Sequence, residues 1–408
     1  MKESKAIPIP DVFVILVVIS QAILYKEQLP LLSSFLYFAQ FVCFLYASFV
    51  FITKRLRLNM YHWMWLVYLS ILTYSSISHN MPYLGNIFIP AIGAATLLMI
   101  VHIECSHDVD VFLNIFSRVF FFFVFLNFIL IILFPNGIWV DPNELKLDLD
   151  GEEIGRYLIG GNRNQMGGTL LVASIVSAVH YYKTHCGFAM MLFTIVLSLL
   201  SVLINGSKTS LLGFSLLVIF LLINRKNSKF KHKFLLLIII FYFMLQPFLL
   251  LSSTGIFQNE AITYLVEDVL HKDMTFSGRA VIWESSILMI IQSPLLGYGW
   301  QDVDWNEFYI NGVFAHNFIL HVLLRGGGIL LLCTIIIITM SIRQSVKNDS
   351  VPAFIAHAGF WIFLFMMSTE VYNILMIVLI ITLLYSSRYF VMDITKWKNR
   401  ECISCDKK

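Results

Sequence analysis

The stretch FLNIFSRVFFFFVFLNFILIILF, residues 112–134, carries one charged side chain, Arg118. As a helix rising 1.5 Å per residue, a run of that length spans the roughly 30 Å of a bilayer's hydrocarbon. It is therefore read as a membrane-crossing helix, and the rest of the chain is read outward from it. Comparable apolar runs occupy about 9–25, 31–53, 60–78, 84–103, 165–183, 187–204, 208–224, 234–252, 317–340, 352–368 and 371–388. The composition agrees: 58% of the 408 residues are hydrophobic and only 13% charged, with mean hydropathy +0.79. A soluble protein of this size needs more charge to cover its surface. The expected fold is all-α: one polytopic integral membrane domain over 1–408, with about twelve transmembrane helices. Short helices are expected in a large outward loop, 251–316, between the ninth and tenth spans. The segment following MKESKAIPIP lacks a small-residue cleavage site, so the first span is expected to be an uncleaved anchor.

Charge sets the expected orientation. With the N-terminus inside, 19 of the 28 Lys and Arg residues fall on the inner side and eight on the outer, leaving Arg118 in a span. The 25 acids divide the other way, nine inside and sixteen outside. This asymmetry predicts N-in, C-in topology, with 251–316 outside and the tail 395–408 in the cytoplasm. None of the six cysteines falls outside, so no disulfide framework is implied. CISC in the tail (402–405) is a lone C-x-x-C without a second ligand pair, and no metal site is expected.

Outward chemistry concentrates in a few motifs. The 135–164 segment ends in GRYLIGGNRNQMGG, and NGSKTS lies at 205–210. The 251–316 loop holds NEAITYLVEDVL (259–270), read as a surface helix. It also holds FSGRAVIWESSILMIIQSPLLGYGW (276–300). There Ser277 is a candidate N-cap, Arg279 and Trp283 share a face, Pro294 stops the helix, and Gly297 and Gly299 turn the chain. FAHNFILHVLLRGGG (314–328) then re-enters the membrane.

The arginines here, Arg156, Arg163, Arg279 and Arg325, suit phosphate, which a guanidinium binds through two parallel hydrogen bonds. Salt bridges to nearby carboxylates are the competing reading. Arg279, near a helix N-terminus, would add the helix dipole. Asn317, His321 and Arg325 recur every four residues and are expected on one helix face, Arg325 about 12 Å along it. A charge at that depth is costly unless paired or facing water, so Arg325 is expected either to pair with Glu370 or to touch ligand. His316, at headgroup level, is the candidate proton acceptor, against the alternative of an interfacial histidine satisfied by water; His321 reads as structural.

At these residues the sequence resembles the O-antigen ligase/polymerase superfamily of bacterial membrane glycosyltransferases. SGR-x3-W (277–283), P-x2-G-x-G (294–299), HN-x2-L (316–320) and Gly326–Gly328 occur in order, and GNRNQMGG (161–168) and NGSKTSLLG (205–213) resemble stretches at that family's central spans. Lys208 departs from a position where the family often has arginine, which keeps the charge but not the bidentate geometry. The resemblance implies transfer of an undecaprenyl-diphosphate-linked glycan outside the cytoplasmic membrane, without cofactor or metal. It points to His316 and Arg279 as catalytic. Arg163, Arg325, Asn317, Arg156, Lys208 and Trp283 are its candidate substrate-binding residues. The bilayer, a flippase and a chain-length regulator are expected partners, and nucleic acid is not. Tyr298, Trp300 and Trp305 suit sugar stacking or an interfacial aromatic belt equally. Asp302 and Asp304 mimic a metal-binding D-x-D but fall on the side where nucleotide sugars are not expected. No G-x4-GK-[ST] phosphate loop occurs.

A polymerase is favoured over a ligase because the acidic outer surface is a poor dock for an anionic core acceptor. A flippase for the same lipid is the rival from another class, disfavoured because no paired interrupted helices are evident. A simple anchoring protein would not need Arg325.

Overall fold

A computed structural model describes residues 9–25, 29–79, 84–140, 155–224, 228–252, 279–300, 315–348 and 350–390. Its elements are α1 (Ile9–Ile23), α2 (Pro30–Thr53), α3 (Met60–Ser78), α4 (Leu84–Leu133), β1 (Trp139–Val140), β2 (Gly155–Arg156), α5 (Arg163–Thr184), α6 (Phe188–Asn205), α7 (Lys208–Asn224) and α8 (Ser228–Ser252). There follow α9 (Arg279–Gln292), α10 (Phe318–Lys347), α11 (Val351–Met366) and α12 (Ile374–Ser386), with a 3-10 turn at Ser387–Tyr389. The all-helical class is therefore as expected, apart from the two-residue strands. Among the described residues, four helical stretches are long and apolar enough to cross a membrane: Pro30–Thr53, Phe88–Leu133, Phe188–Asn205 and Phe318–Lys347. Six shorter apolar helices accompany them, and the protein is membrane-embedded. The surface helix expected at 259–270, the Ser277 cap, Asp302, Asp304, Trp305 and the CISC tail lie outside the described residues.

Two spans expected at 84–103 and 112–134 form one helical run, α4, broken at Asp108 (φ −153°, ψ 96°). The Asp108 carboxylate accepts from the backbone N–H groups of Asp110 and Val111 at 3.1 and 3.3 Å, capping the second half. A short polar side chain that bonds its own downstream backbone is what ends one helix and starts another.

α5 is the central helix. Every residue from Met166 to His180 is buried, and α5 packs against α4, α6, α7, α11 and α12. Its small residues permit that approach, as in membrane bundles generally. A Cβ on Gly168 would stand 2.3 Å from the Tyr372 ring. The turn before α5 is tied down by Tyr25 N–H donating to Leu158 O (2.7 Å) and Gly160 N–H to Ile23 O (2.7 Å). The β1–β2 pair sets Arg156 opposite Trp139.

α10 departs from the continuous span expected at 317–340. It runs to Lys347 and is interrupted at Gly326 (φ −149°) and Gly327 (φ 61°, ψ −161°). A break inside a membrane frees backbone groups that must find partners. Here they find them in the PLLGYG turn, 294–299. Tyr298 and Gly299 N–H donate to Leu324 and Arg325 O, both at 2.7 Å, while Gly328 and Ile329 N–H donate to Pro294 and Leu295 O at 2.7 and 3.3 Å. On its other side the turn meets α3: Ser75 Oγ donates to Leu296 O (2.6 Å), and Trp300 N–H donates to Ser76 Oγ (2.7 Å). The P-x2-G-x-G motif is thus a wedge seated between α3 and the α10 break.

A side chain at position 327 would sit 2.1 Å from the Leu295 carbonyl carbon, at a φ that only glycine adopts freely. Gly327→Ala is expected to cost about 1–3 kcal/mol and to lower the thermal midpoint of the detergent-purified protein by several degrees. Gly328→Ala, whose nearest contact is 3.5 Å away, should change it little.

Candidate functional site

Four segments distant in sequence meet at one end of the bundle. Asn162 caps α5, its Oδ1 accepting from Gln165 N–H at 2.8 Å. Asn164, in the first turn, accepts from Ser207 Oγ at 2.9 Å, and Ser207 lies 2.8 Å from Ser210. Thr209 reaches Thr369 at 3.4 Å, and Thr369 precedes Glu370. The starts of α5 and α7 are thereby joined to the turn between α11 and α12.

The start of α10 joins the same turn. Asn317 caps α10: its Oδ1 accepts from Ile319 and Leu320 N–H, and its Nδ2 donates to Gln246 Oε1 (2.8 Å) and Ser368 O (3.2 Å). Gln246 Nε2 in turn donates to Ser368 Oγ at 2.7 Å, and Phe318 N–H donates to Met367 O at 2.9 Å. His316, one residue before the cap, brings Nδ1 to 3.2 Å from Glu370 Oε1. Nδ1 makes no hydrogen bond of good geometry there. The His316 backbone has φ 45°, a region that costs non-glycine residues energy and recurs at functional sites.

Electrostatically this end favours an anion. The N-termini of α5, α7, α10 and α12 meet here and bring a partial positive charge, those of α5, α10 and α12 capped by Asn162, Asn317 and Asn373. Arg163 and Lys208, the first residues of α5 and α7, are both exposed. They flank the Asn164–Ser207 contact.

The sequence candidates distribute unevenly over this geometry. His316, Arg163 and Lys208 lie at the convergence. Asn317 lies there too, but as a cap outside helical register (φ −153°, ψ 129°) rather than on one α10 face with His321 and Arg325. Its amide is fully engaged and 0% exposed, as the start of a buried helix requires. Arg325 is the last residue before the α10 break and donates from Nη1 to Gly299 O at 3.1 Å, gripping the wedge. Glu370 meets His316. Trp283 is fully buried in one cluster with Met289, Ala315, Leu320 and Leu324; in this conformation it supports the residue preceding His316. Arg156 lies in β2, its guanidinium carbon 5.8 Å from the Tyr25 ring centre. Arg279 is the first residue of α9, and its side chain lies outside the described residues. The Tyr298 phenol donates to Met289 O at 3.1 Å, so it is committed to the wedge.

Sequence reasoning missed Gln246, Ser368 and Thr369, and singled out Asn164 and Ser207 only within their motifs. For Ser368 and Thr369 the available signal was STEVYN, 368–373, a mostly polar stretch where the last two apolar runs adjoin. Among the described residues, no group of three or more His, Cys, Asp or Glu is placed to hold a metal ion.

Part of the chain is similar to a known family. The family described as O-Antigen ligase matches residues 193–335. That match supports the O-antigen ligase/polymerase superfamily, whose members are membrane glycosyltransferase-type enzymes. It takes in α9, the wedge, His316 and the α10 break. No curated protein matches the chain.

Proposed function

We propose that this protein polymerises undecaprenyl-diphosphate-linked oligosaccharide repeat units on the outer face of the cytoplasmic membrane. The supporting observation is the pairing of His316 with Glu370 at the same end of the bundle as Arg163, Lys208 and four helix N-termini. The repeat-unit hydroxyl attacks the anomeric carbon of the donor while His316 takes its proton. Negative charge develops on the departing diphosphate, where Arg279, Arg163 and Lys208 stabilise it together with the helix N-termini. Arg325, deeper in α10, holds the wedge that fixes the approach of α9. The diphosphate bond supplies the driving force, so neither metal nor nucleotide hydrolysis is required of this chain.

The orientation that goes with this reading is twelve crossings in one membrane domain, with both termini inside, on the basis of the 19-to-8 division of basic residues. It is tested with single cysteines in a cysteine-free variant. Asn259→Cys should react with an impermeant thiol reagent on intact cells, and Lys347→Cys only after permeabilisation. The reverse pattern overturns the orientation. Lys347 is a suitable inner reporter because it is exposed, whereas nearby Ser345 is buried.

A ligase would use the same donor chemistry with a different acceptor. The outer surface, with sixteen acids against eight bases, favours another lipid-linked repeat over an anionic core. The second reading, a carrier for the lipid-linked sugar, draws on the α10 interruption, since carriers build substrate and ion sites from broken helices. Against it, the carbonyls freed at Leu324 and Arg325 are taken by Tyr298 and Gly299, leaving the wedge and not a transported ion as their partner.

A further inference from the structure

We infer that Glu370 is a positioning residue for His316: it decides which ring nitrogen carries the proton and which one faces the reacting hydroxyl. The inference rests on the reading of His316 as general base.

The two residues are 54 positions apart, and their meeting is built rather than incidental. Phe318 N–H to Met367 O, Asn317 Nδ2 to Ser368 O and the Gln246–Ser368 bond lock 317–318 onto 367–368 from both sides. Ala315, before the histidine, is buried in the Trp283 cluster. Between these anchors the chain takes the positive φ at His316. A left-handed residue held this firmly has its ring direction set by its surroundings.

Burial identifies the nitrogen. The Glu370 side chain is 3% exposed and the His316 side chain 23% exposed. His316 Nδ1 is itself inaccessible, so the exposed part of the ring is the other edge, which carries Nε2. A buried carboxylate beside Nδ1 favours the tautomer with the proton on Nδ1 and the lone pair on Nε2. The same logic lets a buried aspartate orient the imidazole of a serine hydrolase. Among the described residues, His321 on α10 lies within electrostatic reach of both this histidine and Arg325.

During transfer the acceptor O–H proton passes to Nε2, and that oxygen forms the new bond to the anomeric carbon. The bond from that carbon to the diphosphate oxygen breaks, and its electron pair leaves with the diphosphate. The imidazolium formed then has Glu370 as its counter-ion, which lowers the barrier without any contact between Glu370 and the sugar. A catalytic role is not assigned to Glu370; its effect passes through His316.

The test uses the full-length protein in lipid nanodiscs with nitrogen-15 histidine, the His316 ring signals being assigned by their absence in His316→Gln. Wild-type protein at pH 8 should show a protonated Nδ1 and an unprotonated Nε2, and Glu370→Ala should lose that pattern. An unchanged pattern overturns the inference, whether or not the protein transfers glycans. Turnover is then measured with the lipid-linked saccharide fraction extracted from cells lacking this gene. Glu370→Ala should slow turnover by about 100-fold with little change in the half-saturating donor level. In a His316→Ala background it should add nothing, and a full further loss there overturns the inference. Should Glu370→Ala fail to fold, Glu370→Gln keeps the volume, removes the charge and permits the same two turnover comparisons. If instead the nitrogen pattern responds as stated while His316→Ala retains full activity, the base assignment falls and the Glu370–His316 coupling stands.

Discussion

Alanine at His316 or at Arg279 is expected to abolish polymer while leaving the protein in the membrane at its normal level. A positioned general base contributes about 10²–10⁴-fold, and a donor stabilising the leaving group about 10²–10³-fold. Each loss is large enough to reduce a ladder of chain lengths on a gel to its first rungs. His316 is partly exposed and contributes little to the core, so its removal should spare the fold. Arg279→Lys should also fail if the diphosphate is held by two parallel hydrogen bonds, since an ammonium is a point charge without that fork. Lys272→Ala, in the same loop, is the control and should be near neutral. Full-length polymer from both alanine variants would remove these residues from the site.

The second large effect concerns the cell. Deleting the gene should leave single repeats on the undecaprenyl carrier, or one repeat capping its acceptor, because polymerisation precedes any transfer of long chains. The readout is the length distribution of carrier-linked saccharide. Long polymer accumulating on the carrier would identify a ligase, since chain growth would then have proceeded without this protein. The excess of acids on the outer side in the proposed orientation leads to the first outcome.

The parts of the molecule legible in the sequence are those decided locally. Runs such as 112–134 announce helices in hydrocarbon because each residue's transfer preference adds to its neighbours'. Asn317 before an apolar run carries an N-cap signature, yet helical spacing drew it onto a face with His321 and Arg325. The cap geometry takes precedence because α10 begins inside the protein, where its first N–H groups have no water to turn to. What depended on tertiary partners was hidden. Gly326–Gly328 read as a motif, but a break there is stable only because the 294–299 wedge, some thirty residues upstream, supplies its hydrogen bonds. The Glu370–His316 contact has no sequence signal either. The link follows from Asn317, Gln246 and Ser368 pinning two turns together. GNRNQMGG and NGSKTS were visible as polar islands; their union through Asn164 and Ser207 was not.

Glycosyl transfer and lipid translocation part most cleanly in a sealed vesicle containing only this protein and the extracted lipid-linked saccharide. A polymerase lengthens saccharide on the carrier and releases one free undecaprenyl diphosphate for each bond formed, with both products absent when His316→Ala replaces the wild type. Saccharide that crosses the bilayer at unchanged length, with no diphosphate released, would contradict enzymatic polymerisation and leave a carrier in its place.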